Sequence, residues 1–212
     1  MEKIRFIFDL DGTIIDSDYS NEKEYFKSIL SEKDSKKFIY KLPILLEKYE
    51  RTHKKYTNGD IKAFFIKETG IEFTDSMLKG WYDSLIPNNY KEIDGIREVL
   101  EYLKNKGKSI VVLSNWITEV QLERLRKADL AKYFDEIYGG DVILKPRRDA
   151  YMLACGKYAT ENSIMIGDNL DLDVLGTNLY GIDSLFYDTK NTEVNKVKVK
   201  SINDMRKIKE MF

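Results

Sequence analysis

The chain has 212 residues, enough for one α/β domain with a smaller appended module. Hydrophobic residues make up 42% and charged residues 33%, and 35 Lys and Arg face 36 Asp and Glu, a balance that excludes a disordered chain and a broad basic footprint for nucleic acid. No apolar stretch approaches the ~20 residues needed to cross a bilayer, so no membrane partner is expected.

Met1 to Phe8 runs straight into Asp9 and leaves no room for a signal peptide, and Cys155 has no second cysteine to pair with. A cytoplasmic setting is the expectation. Arg5 to Phe8 is a short apolar run suited to a buried strand, with Asp9 at its carboxyl end. Residues 17–88 then read as four helical stretches, about 19–31, 35–50, 59–69 and 74–85, with Pro43 expected to kink the second and Gly70 and Pro87 punctuating the last two. Ile96, Val99, Leu100 and Leu103 recur at helical spacing before a stop at Gly107. Ile110-Val111-Val112-Leu113 is a second strand ending at Ser114, followed by a helix over 118–128. A further helix over 149–159 leads to a third strand, Ile164 to Ile166, which ends at Gly167-Asp168. Ile182 to Tyr187 makes a fourth strand. The tail alternates Val194, Val197 and Val199 as an edge strand, then sets Ile202, Met205 and Ile208 at helical spacing. Continuous apolar runs alternating with helices predict a doubly wound, mainly parallel α/β sheet. The all-helical block interrupts it as an inserted module: 1–16 with 89–212 as core, 17–88 as lid.

Ligands of open α/β sheets bind beyond the carboxyl ends of the strands. Those ends and their neighbours offer Asp9 with Asp11, Ser114 with Asn115, Lys145, and Asp168 with Asp173. Attack on a phosphate needs a nucleophile held in line and neutralisation of negative oxygens. A carboxylate can serve as that nucleophile. Several carboxylates beside a phosphate call for a hard cation such as Mg²⁺. Asp9 and Asp11, two apart in extended backbone, aim to one side, and Gly12 permits a tight departure of the chain.

The segment Phe8-Asp9-Leu10-Asp11-Gly12-Thr13 resembles the first motif of the haloacid dehalogenase superfamily. Leu113-Ser114-Asn115 resembles its second, Lys145-Pro146 its third, and Ile166 to Asp173 its fourth, in the family's order and usual spacing. The resemblance implies Asp9 as nucleophile and Asp11 as acid and base. It implies Thr13, Ser114, Asn115 and Lys145 around the phosphoryl group. Asp9, the Asp11 carbonyl and Asp168 would hold Mg²⁺, with Asp173 in support, and the helical block would be the family's C1 cap. Asp11 argues against dehalogenation, and Asn21 stands where the family's mutases carry a His. Ser114-Asn115-Trp116 with Lys145-Pro146-Arg147-Arg148-Asp149 resembles a phosphatase branch near the pyrimidine nucleotidases. A Mg²⁺-dependent phosphatase of small phosphorylated metabolites is therefore expected. A sugar-phosphate mutase and a non-catalytic phospho-accepting module are the alternatives.

Blander readings also exist for several residues. Asp171 reads as a helix N-terminal acid, His53 as a solvated loop residue, Phe64 and Phe65 as cap core, and Cys155 as buried and inert.

Overall fold

A computed structural model describes residues 2–16, 19–86, 91–189 and 199–212. Six strands form one parallel sheet: β1 (Arg5–Phe8), β2 (Ser109–Leu113), β3 (Glu136–Tyr138), β4 (Ser163–Gly167), β5 (Asp183–Tyr187) and β6 (Ser201–Ile202), in the order β3-β2-β1-β4-β5-β6. The apolar runs are continuous because the sheet is covered on both faces. Phe6, Phe8, Ile110 and Val112 enter one core cluster, while Ile7, Val111, Leu113 and Met165 enter the other. Strand β1 lies in the middle, with Phe8 opposite Val112 on one side and Ile166 on the other. The strand order reverses there, which opens a crevice at its carboxyl end.

The helices that interrupt the alternation are α1 (Ser20–Ile29), α2 (Glu32–Thr52), α3 (Asn58–Thr69) and α4 (Asp75–Ser84). Ser31, Thr57 and Thr74 cap the last three, each hydroxyl accepting a backbone N–H from the first turn at 3.1–3.2 Å. Gly70, at φ 76°, ends α3 in the left-handed region. These helices carry their own aromatic core of Phe26, Phe38, Phe65, Phe73 and Trp81, and Val120 and Leu144 of the sheet domain pack into the same cluster. This is the inserted helical cap.

In the sheet domain α5 (Ile96–Asn105), α6 (Thr118–Lys127) and α7 (Arg148–Cys155) follow in order. The differences from the sequence reading have local causes. Helix α2 is continuous through Pro43, which is exposed. Helix α7 stops at Cys155 because Gly156 takes φ +60°. Strand β3 was not expected, and its three residues are too few and too exposed to carry an apolar run. Ile202 belongs to β6 rather than to the closing helix, which begins with the turn Met205–Lys207 and continues over Ile208–Met211. Val194, Val197 and Pro87 lie outside the described residues. Among those described, no helix is long and apolar enough to cross a membrane.

Candidate active site

Backbone hydrogen bonding continues past β1 through Asp9, whose N–H donates to the Ile166 carbonyl at 2.9 Å. The chain then turns sharply at Gly12, at φ 77°; a Cβ there would collide with the Asp168 carboxylate. The missing side chain is therefore what lets the loops after β1 and β4 close on each other. Gly167 does the same for Asp173, whose carboxylate fills the space a Cβ would take.

Three carboxylates converge at this point. Asp9, Asp168 and Asp173 each place a ligand oxygen within 4.8 Å of the others. Lys145 is buried among them, its Nζ donating to Asp9 Oδ1 and Asp173 Oδ1 at 2.7 Å each. The second Asp173 oxygen accepts from Asn169 N–H at 3.1 Å. Burial works against the Lys145 charge, but Asp173 and Asp9 outweigh it and its pKa is raised. Burial also pushes the Asp9 carboxyl well above the usual range; Lys145 opposes this, and the neighbouring acids add to it. Asp168 rises to about 6, through loss of surrounding water and then through Asp173. One lysine thus leaves the cluster with excess negative charge. An all-oxygen donor set with that excess fits a hard divalent cation.

Beside the acids, Asn115 is fixed from both ends: its Oδ1 accepts Lys145 N–H at 2.7 Å, and its Nδ2 donates to the Lys145 carbonyl at 3.2 Å. Ser114 Oγ accepts from Trp116 N–H at 3.1 Å and from Gln121 Nε2 at 2.7 Å. A cavity of about 1160 Å³ between cap and sheet is lined by Asp9, Asp11, Ser114, Asn115, Lys145 and Asp168, among others.

Two expected site residues stand apart. Thr13 is fully buried, its hydroxyl has no partner among the described residues, and it is not part of the cavity wall. The Asp11 side chain turns towards α6, where Oδ1 accepts from Arg124 Nη1 at 2.7 Å and Oδ2 from Gln121 Nε2 at 2.8 Å. Both oxygens therefore face N–H donors of α6.

Sequence reasoning did not single out Gln121, Arg124 or Glu50. The first two are buried polar residues three apart on α6, bonded to each other at 2.7 Å. Their signal is weak, because polar residues at that spacing usually face water. Glu50 comes from the cap: its Oε2 accepts from Asn115 Nδ2 and its Oε1 from Tyr56 O–H, both at 2.9 Å. Burial raises its pKa. Nothing in the sequence separates it from the other acids of α2. Arg147 donates to the Glu50 carbonyl at 3.0 Å and helps seat the cap. His53 stacks on Tyr49 at 3.9 Å, away from the acids.

The sequence profile of the haloacid dehalogenase-like hydrolases matches residues 6–187. The chain belongs to this family. A pyrimidine 5'-nucleotidase, PynA of Streptococcus pneumoniae, is 24% identical over 88% of this chain and 84% of its own length. A phosphoglycolate phosphatase of Aquifex aeolicus is 32% identical over 64% of this chain and 60% of its own. The haloacid dehalogenase-like hydrolase YfnB of Bacillus subtilis, solved with magnesium bound, superposes with a TM-score of 0.72 at 19% identity, covering 99% of each chain, which establishes the shared fold. The protein is thus a hydrolase of this family, and its similar proteins include phosphatases and a nucleotidase.

Proposed function

We propose that this protein is a Mg²⁺-dependent, cytoplasmic phosphatase of small phosphorylated metabolites that works through an aspartyl-phosphate on Asp9. Residues 17–88 act as its cap, and 1–16 with 89–212 as its core. The observation that carries the reading is the meeting of Asp9, Asp168 and Asp173 around Lys145 at the floor of the cavity. The names of the relatives support the same chemistry.

Asp9, Asp168 and the main-chain carbonyl of Asp11 would hold the cation, with Asp173 orienting Lys145 beside it. When bound, Mg²⁺ neutralises phosphate oxygens that would otherwise repel the attacking carboxylate. Ser114, Asn115 and Lys145 bind the phosphoryl group. Thr13 is left out, because it sits in the core rather than on the wall. Lys145 takes Asp9 Oδ1 and leaves Oδ2 to attack. The Oδ2–P bond forms as the P–O bond to the leaving group breaks, and Asp11 gives that oxygen its proton. Water then attacks phosphorus while Asp11 takes a proton from it, freeing inorganic phosphate and restoring the Asp9 carboxylate. To act as acid, Asp11, which already lines the cavity, must exchange one of the hydrogen bonds it accepts from Arg124 and Gln121 for the leaving oxygen.

The test is release of inorganic phosphate from p-nitrophenyl phosphate with and without Mg²⁺. Asp11→Asn should slow turnover of alkyl phosphates, which need a protonated leaving group, more than of the nitrophenyl ester. Equal turnover of wild type and Asp11→Asn on both would remove Asp11 from the acid role. Isomerised sugar phosphate in place of free phosphate would favour the mutase.

A further inference from the structure

Which ester the site accepts is decided where the non-phosphate half of the substrate must lie, between α2 of the cap and residues 172–179 of the core. That space has two properties. The first is apolar walls on both sides. Leu42 and Leu46 project from the cap, and Leu175 and Leu179 face the same cavity from the core, with Leu179 79% exposed.

The second is the state of its charges. Among the described residues, every cation on the wall already faces a carboxylate. Arg51 bonds Glu47 at 2.8 Å, Lys91 meets Asp16 at 3.3 Å, Arg124 holds Asp11, and Lys145 lies between Asp9 and Asp173. Glu22, Glu50 and Asp171 line the same cavity and make no ion pair among the described residues. Glu50 stands beside the phosphate pocket itself, bonded to Asn115. A leaving group that carried a carboxylate would find no unpaired cation here and would meet acids instead. Opening the exposed Arg51–Glu47 pair would cost little, since exposed ion pairs add little stability, but it would leave Glu47 beside the incoming anion.

We propose that this cavity selects esters whose leaving group is uncharged or cationic with an apolar face, and rejects those whose leaving group bears a carboxylate. The inference rests on the phosphatase reading above. It separates this chain from the phosphoglycolate phosphatase to which it is similar, because phosphoglycolate is a carboxylate-bearing ester. Like-charge contact at a recognition site costs enough to change selectivity by about tenfold or more.

The experiment compares kcat/KM for phosphate release, with Mg²⁺, from phosphoethanolamine and phosphoglycolate, two-carbon esters that differ in ammonium against carboxylate. Phenyl phosphate serves as the neutral apolar ester. Phosphoethanolamine and phenyl phosphate should each exceed phosphoglycolate by about tenfold or more. In Glu50→Gln, which keeps hydrogen-bonding capacity towards Tyr56 and Asn115, the ratio should move several-fold towards phosphoglycolate. Because a ratio within one variant is read, a general loss of activity does not mimic the effect. Phosphoglycolate turned over as well as or better than the other two, or a ratio unmoved in Glu50→Gln, overturns the proposal. Either result, with p-nitrophenyl phosphate still hydrolysed, leaves the phosphatase reading standing. No phosphate release from any ester, the nitrophenyl one included, brings down both.

Discussion

The sheet domain and the cap hold themselves together differently, and the difference maps onto what each contributes. The sheet domain is a ladder of parallel strands with apolar layers on both faces, and it ends in buried ionic groups: Lys145 is 2% exposed and Asp173 is fully buried. Buried charges are tolerated only when paired, so the position of each acid is dictated by its neighbours. The cap is an aromatic cluster of Phe26, Phe38, Phe65, Phe73 and Trp81 inside four helices, three of them N-capped by a side chain, and its half-buried Glu50 reaches Asn115 beside the acids. The acid cluster sits at the strand ends, and the helices supply the facing wall of the cavity. The seam is stitched by Tyr56 N–H to the Gly140 carbonyl at 2.7 Å and Leu144 N–H to the Lys54 carbonyl at 2.9 Å.

The largest expected effect breaks the chemistry and spares the fold. Asp9→Asn should reduce phosphate release by at least ~10³-fold, as removal of a nucleophile does. Its melting temperature should stay close to wild type, because Lys145 keeps Asp173 at 2.7 Å. Steady-state kinetics beside thermal melting reads both halves; retention of more than a few per cent of activity would remove Asp9 as nucleophile.

Phe65→Ala tests the opposite side. It opens a cavity at the centre of the cap cluster and should cost about 3–5 kcal/mol in chemical denaturation. A loss well below 1 kcal/mol would show that the cap is not held by its aromatic core.

A smaller effect follows from the acids themselves. Asp168 carries a pKa of about 6, above its ordinary value, so its charged form disfavours the metal-free fold above that pH. Metal-free stability should therefore rise as pH falls through about 6 towards the ordinary carboxylate range. Mg²⁺ competes with that proton, so the gain in melting temperature on adding Mg²⁺ should be clear at about pH 7.5 and shrink at about pH 5. A Mg²⁺ shift independent of pH would place the ion away from Asp168. Smallest of all is Lys36→Ala, which removes an exposed pair with Glu32 on the outer face of the cap and should change stability by no more than about 0.5 kcal/mol.

Much of the sheet domain was legible because a strand buried on both faces writes a continuous apolar run. Arg5–Phe8, Ser109–Leu113, Ser163–Gly167 and Asp183–Tyr187 all stand where such runs lie. Short, half-exposed β3 left no such trace. At the site, the resemblance of four motifs to the haloacid dehalogenase superfamily pointed to Asp9, Lys145, Asp168 and Asp173, and these four side chains meet in the structure. The Asp11 side chain was beyond such reasoning: its direction is set by Arg124 and Gln121, more than 100 positions away. Thr13 likewise shares a segment with Asp9 but not an environment.

The sequence by itself determined the α/β alternation, the helical insertion and the identity of the acids and lysine, because hydrophobic period and residue chemistry are local properties. Only the tertiary structure decided that Asp173 joins Asp9 and Asp168 in one cluster, that Glu50 reaches Asn115 from the cap, and that the wall's cations are already paired. Electrostatic energy depends on distance and burial, and a chain written in one dimension carries neither.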